Sequence, residues 1–198
     1  MKLRLALAGT FIVTAACQPA SLTPPPATSG RYAVSGVAAF DERTTQVAPD
    51  ALRRLATVTL IDAANRTVAT TRTDAAGAFT LLPGSSFTAA ANDVFFLNVF
   101  KGTRDNAVSA DVARMRTILQ WTTAGWRSVS SASVVVTPLT TAVSIIQGLQ
   151  PASVSVATTL DTVSGSSVTT GNGTLSGNWS PVYGLVRELL AKDQDPLA

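Results

Sequence analysis

The sequence predicts a mainly β fold: an antiparallel β-sandwich with an appended α+β C-terminal part containing two helices. Three observations predict it. Between residues 31 and 101, short β-branched runs are broken by turn residues at the spacing of an all-β domain. Apolar residues at helical spacing follow Pro138 and recur after Pro181. Setting aside a leader of 16 residues leaves a chain of 182, enough to bury one sizeable core.

The elements follow in order. Residues 32–40 read as a first strand, and the insert after Phe40 carries a short helix around residues 50–55. Residues 56–62 alternate cleanly, with Val58 and Leu60 on one face and Thr57 and Thr59 on the other. Asn65 sits in the next turn, and residues 67–73 form another strand. In Thr73-Asp-Ala-Ala-Gly-Ala-Phe79, Asp74 is placed to hold the backbone and Gly77 to take positive φ. Residues 78–82 continue as a strand that Pro83-Gly84 stops, and residues 94–100 form a strongly apolar strand.

The second half is expected to build differently. Residues 116–121 and 126–129 flank Thr122-Thr-Ala-Gly125 as a hairpin, and residues 134–137 add a strand. Pro138 starts a helix whose apolar face is Val143, Ile146 and Leu149, with Gly148 near its end. Residues 150–180 are rich in Ser, Thr, Gly and Asn, and loops, an open hairpin or partial disorder all fit them. In the last helix, running to about Lys192, Ser180 is the expected N-cap and Pro181 the first helical residue. Its expected stripe is Val182, Leu185, Val186 and Leu189.

The N-terminus carries a targeting signal. Lys2 and Arg4 precede nine mostly apolar residues, 5–13, which span only about 14 Å as a helix. That is half of a hydrocarbon core of roughly 30 Å, so a secretory leader is expected rather than a transmembrane helix. Thr14-Ala-Ala-Cys17 then resembles the lipobox of bacterial lipoproteins. The resemblance implies cleavage before Cys17, diacylglycerol on its thiol and an acylated amino group, hence a stable membrane anchor through Cys17. Gln18, rather than Asp, resembles the sorting pattern of outer-membrane lipoproteins. An ordinary leader cut near Ala16 would instead leave Cys17 a free thiol. Residues 17–30 hold four prolines among small residues and read as an extended tether.

A second resemblance covers residues 31–101. Ser35-Gly-Val37, Ala56-Thr-Val-Thr-Leu-Ile-Asp62 and Thr73-Asp-Ala-Ala-Gly-Ala-Phe-Thr-Leu81 are similar to carboxypeptidase-regulatory-like domains. These belong to the prealbumin-like group that includes the B-type repeats of surface adhesins. The resemblance implies a prealbumin-like sandwich serving as spacer, interaction platform or carbohydrate-associated appendage. The elements of residues 102–198 are expected to form an α+β region packed on, or continuous with, that sandwich. The B-type repeats often hold a Lys–Asn or Lys–Asp isopeptide bond, but residues 32–40 contain no Lys, and Lys101 ends a later strand without an evident Glu partner.

Composition narrows the chemistry. There is no His, which removes the usual general base and metal ligand. Ser and Thr abound, yet a hydroxyl is a poor nucleophile without an adjacent base, and the only lysines after the leader are Lys101 and Lys192. Glu42 and Glu188 are the only glutamates, and the aspartates are dispersed, so neither a carboxylate pair nor a calcium loop is written in the sequence. With 13 basic and 12 acidic residues after the leader, no nucleic-acid partner is expected.

Trp121 and Trp126 flank one turn: core packing is the favoured reading for one or both, and a flat ligand platform for sugar or a peptide is the alternative. The expectation is a non-enzymatic cell-envelope lipoprotein without cofactor or metal, whose partners are a membrane and another envelope protein or a glycan. A carbohydrate- or ligand-binding accessory module of an envelope enzyme system is the second reading, and a small hydrolase the third.

Overall fold

The computed structural model describes residues 30–39, 55–101, 113–130, 133–164, 179–192 and 194–198. Among these, the strands are β1 (Val34–Ala38), β2 (Thr57–Asp62), β3 (Thr67–Arg72), β4 (Ala78–Leu81), β5 (Val94–Lys101), β6 (Ala113–Thr122), β7 (Gly125–Ser128) and β8 (Val134–Val136). The helices are α1 (Pro138–Leu149), α2 (Val156–Ser164) and α3 (Trp179–Ala191). The short helix expected around residues 50–55 falls outside the described residues, apart from Leu55.

The strands form two sheets. One has the order β4-β1-β8 and the other β3-β2-β5-β6-β7. Alternation puts Val58 and Leu60 of β2, Leu97 and Val99 of β5, and Met115 and Leu119 of β6 into one core, with Val34, Phe79, Leu81 and Val136 of the smaller sheet. Burial on this scale, about 25 cal/mol for each Å² of apolar surface, is what holds the sheets face to face. A smaller cluster lies on the other face of β6, where Ile118 meets Val143 of α1 and Leu160 and Val163 of α2.

The fold is therefore mixed α/β, with two sheets and three helices among the described residues. The sheets are not antiparallel throughout, because β1 and β8 pair in parallel, Gly36 opposite Val134 and Ala38 opposite Val136. Gly36 makes this pairing possible: a Cβ there would stand 2.2 Å from the Val134 carbonyl oxygen and 2.8 Å from the Phe79 ring. The second half of the chain is continuous with the first. Strand β6 pairs with β5 from Val94–Gln120 to Lys101–Ala113, so a boundary drawn at residue 101 runs through one sheet.

The segment from Thr73 to Phe79 is a corner rather than a hairpin within one sheet, because β3 pairs with β2 while β4 pairs with β1. Its turn chemistry is as expected. Asp74 Oδ1 accepts the amides of Ala76 and Ala78 at 2.8 and 2.9 Å, and Gly77 has φ 82°. Thr73 adds an anchor, its hydroxyl accepting the Ala56 amide at 2.8 Å.

The helices differ from expectation in which faces they bury. In α1 every residue from Pro138 to Ser144 is buried, because the first two turns are wedged against β6 and α3, while Leu149 is 76% exposed. Thr137 caps α1 in a capping box with Thr140, and Pro138 follows as its first residue. Residues 156–164, within the stretch left open by the sequence, form the additional helix α2. Helix α3 begins at Trp179, so Ser180 lies inside the first turn rather than at its cap. Pro181 is tolerated there because first-turn N–H groups need no intrahelical partner. Its buried residues are Val186 and Leu190, whereas Leu185 is 55% exposed.

Candidate functional site

Five aromatic side chains close into a ring beside the two sheets. Tyr32 comes from the turn before β1, Phe87 from the β4–β5 loop, Phe95 from β5, Trp121 from β6 and Trp126 from β7. Their centroids follow one another at 5.1 Å (Tyr32–Phe87), 5.6 Å (Phe87–Phe95), 5.2 Å (Phe95–Trp126), 5.0 Å (Trp126–Trp121) and 4.7 Å (Trp121–Tyr32). Four of the five contacts are edge-to-face, the geometry the ring quadrupole favours.

Backbone chemistry holds these rings in place. Trp121 and Trp126 are cross-strand partners around the tight β6–β7 turn, where the Thr122 hydroxyl donates to the Gly125 carbonyl and Gly125 takes φ 121°. The loop carrying Phe87 is fastened at its end: the Asp93 carboxylate accepts the Ala90 amide at 2.7 Å, and the Trp121 amide donates to the Asp93 carbonyl at 2.9 Å. The Trp126 indole donates to the Tyr32 carbonyl at 3.2 Å, joining β7 to the segment that leads into β1.

The candidate platform residues are thus brought together, but not as a platform. Trp121 is only 6% exposed, Trp126 is half-buried, and their rings stand 73° apart. A flat stacking surface needs exposed, coplanar faces, so the two rings act chiefly as core. Cys17 lies outside the described residues. Tyr32 and Phe87, which the sequence did not mark as site residues, are partly buried like Trp126 and complete the ring. The available signal was Pro83-Gly84, a break that sets the following Phe in a loop.

Cavities border this ring. One, about 750 Å³, lies between the β2–β3 turn and the β4–β5 loop, with Asp62, Arg66, Thr67, Phe87 and Asp93 in its wall. A second, about 380 Å³ and mainly apolar, lies on the other side of Phe87, against Tyr32, Leu82 and Pro83. A third, about 220 Å³, is bounded by Trp126, Ser128, Ser130 and Ser133.

The charged groups nearby have structural duties. Asp62 Oδ1 accepts the amides of Ala64 and Arg66, each at 2.9 Å, and Asp62 Oδ2 pairs with the Arg66 guanidinium at 2.7 Å. These contacts, the Arg66 amide first, hold the Asp62 carboxyl below the usual carboxylate range. On β6, Arg114 is tied to Asp195 at 2.6 Å and to the Leu197 carbonyl at 2.9 Å. Arg116 donates to Asn98 at 2.7 Å over the Phe96 ring, and its burial, with the Arg114 charge beside it, lowers its pKa. Among the described residues no group of three His, Cys, Asp or Glu is placed to hold a metal ion, and no helix is long and apolar enough to cross a membrane. Comparison with family models, curated proteins and solved structures finds no match.

Proposed function

We infer that this protein is a non-enzymatic lipoprotein of a bacterial cell envelope, anchored through Cys17 and presenting its two-sheet body for binding or assembly. The observation that carries the reading is Thr14-Ala-Ala-Cys17 directly after a short apolar run. Two or more acyl chains on one residue bind a bilayer stably, where a single chain binds only marginally. Residues 18–30 then act as the spacer between lipid and body, and Gln18 favours the outer membrane. Residues 31–101 with their partner strands are read as a prealbumin-like sandwich, supported by the Asp74–Gly77 corner and by Gly36 at the β1–β8 contact. The body contacts its partner through loops or exposed strand edges.

Metabolic labelling with an alkynyl palmitate analogue tests the anchor. Label is expected on the wild type and absent from Cys17→Ser, with the variant leaving the membrane fraction. An unlabelled wild type would refute the reading.

A further inference from the structure

We propose that the apolar cavity between Tyr32 and Phe87 is the docking place of this chain's own proline-rich segment, Pro24, Pro25 and Pro26. The cavity has the chemistry of a proline groove. Tyr32 and Phe87 meet edge to face at 5.1 Å and 83°, so the two contacting rings form one corner of its wall. Pro83 and Leu82, the latter 51% exposed, continue its wall. Grooves lined by aromatic rings bind proline-rich chain because a polyproline helix is already stiff and loses little entropy on docking.

The occupant follows from where the chain enters. Gly30 itself lines the cavity, and its carbonyl accepts the Ala33 amide at 2.8 Å, so the chain reverses at that wall. Pro26 stands four residues upstream, and residues 24–26 fall within about 12–19 Å of chain at about 3.1 Å per residue. Residues 27–29, Ala-Thr-Ser, supply the three-residue connection that a tight reversal requires. Residues 18–29 carry no charge, as a mainly apolar cavity demands. Covalent connection through so short a linker sets an effective concentration in the millimolar range, so a groove of weak intrinsic affinity is filled by its own chain. Docking does not depend on lipidation. If Cys17 is lipidated, docking shortens the free tether to residues 18–23, and release of the prolines lengthens the reach of the body from the membrane.

Amide hydrogen exchange tests the docking. The full chain is compared with a Pro24→Ser, Pro25→Ser, Pro26→Ser variant, with near-ultraviolet circular dichroism confirming that the aromatic ring is unchanged. Amides of residues 31–33 and 84–88 are expected to exchange about 3–10 times faster in the variant. A synthetic peptide of residues 18–29 at millimolar concentration is expected to slow them again, and to lose that effect when Phe87→Ser is added. Equal exchange in the two proteins would overturn the proposal, as would a failure of the peptide to restore protection. So would a peptide that protects the wild type as strongly as the variant, which would mark the cavity as empty in the intact chain and open to a partner's segment.

Discussion

The Thr141 hydroxyl of α1 accepts the backbone amide of Arg116 on β6 at 2.9 Å. The neighbouring Thr140 hydroxyl donates to the Arg116 carbonyl at the same distance. Strand β7 pairs with β6 only from Leu119 to Thr122, so the earlier part of that edge is left without a strand. Helix α1 seals it with two side chains that imitate a ladder pair. Thr141→Val keeps the shape and deletes the acceptor, leaving a part-buried amide unsatisfied. The expected loss is about 1–3 kcal/mol in urea unfolding; an unchanged midpoint would show that water replaces the hydroxyl.

Thr117 supplies the opposite case. It lies fully buried on the core face of β6, and its hydroxyl has no hydrogen-bond partner among the described residues. A buried hydroxyl without a partner costs more than a methyl group of the same size. Thr117→Val is therefore expected to stabilise the protein by about 1 kcal/mol, read as a raised urea midpoint at constant m.

Gly36 fixes how closely β8 approaches β1. Its missing Cβ leaves room for the Val134 carbonyl, which belongs to backbone and cannot swing aside. Gly36→Ala is expected to cost roughly 3 kcal/mol and to disrupt the parallel pair. Val135 and Val136 amide exchange reports the disruption directly, and unaltered protection there would contradict it.

Acid should act through the β2–β3 turn. The Asp62 carboxyl titrates below its unfolded value of 3.8, held down first by the Arg66 amide and next by the Arg66 side chain. Its stabilising effect is complete above the unfolded value and is lost as pH falls through the lower, folded one. Asp62→Asn is expected to flatten the decline in stability below about pH 4. Parallel urea titrations at neutral and acid pH check this, and an identical decline in both proteins would assign the acid sensitivity elsewhere.

Trp121 is expected to matter for stability before binding. Its ring touches Tyr32 and Trp126 while almost wholly buried. Trp121→Ala should cost about 3–5 kcal/mol in chemical unfolding. A small loss of stability coupled to a large loss of glycan binding would restore the platform reading.

Much of the fold was legible because its cues are local. Alternation in residues 57–62 marks a half-buried strand, Asn65 and Gly77 mark turns through their positive φ, and Thr137-Pro138 marks a helix start. The helix faces were less legible. Leu149 and Leu185 have the right periodicity but are exposed, because burial depends on where a neighbouring element ends.

The sequence by itself determined most of the strands, the Asp74–Gly77 turn, the start of α1 and a composition without histidine. These rest on backbone preferences and residue chemistry acting over a few positions. Only the tertiary structure decided that β1 and β8 run parallel, that β6 continues the sheet of β5, and that five aromatics separated by up to 94 residues close into one ring. Those contacts join segments far apart in the chain, and their free energy comes from burying surfaces against each other, which no window of sequence contains.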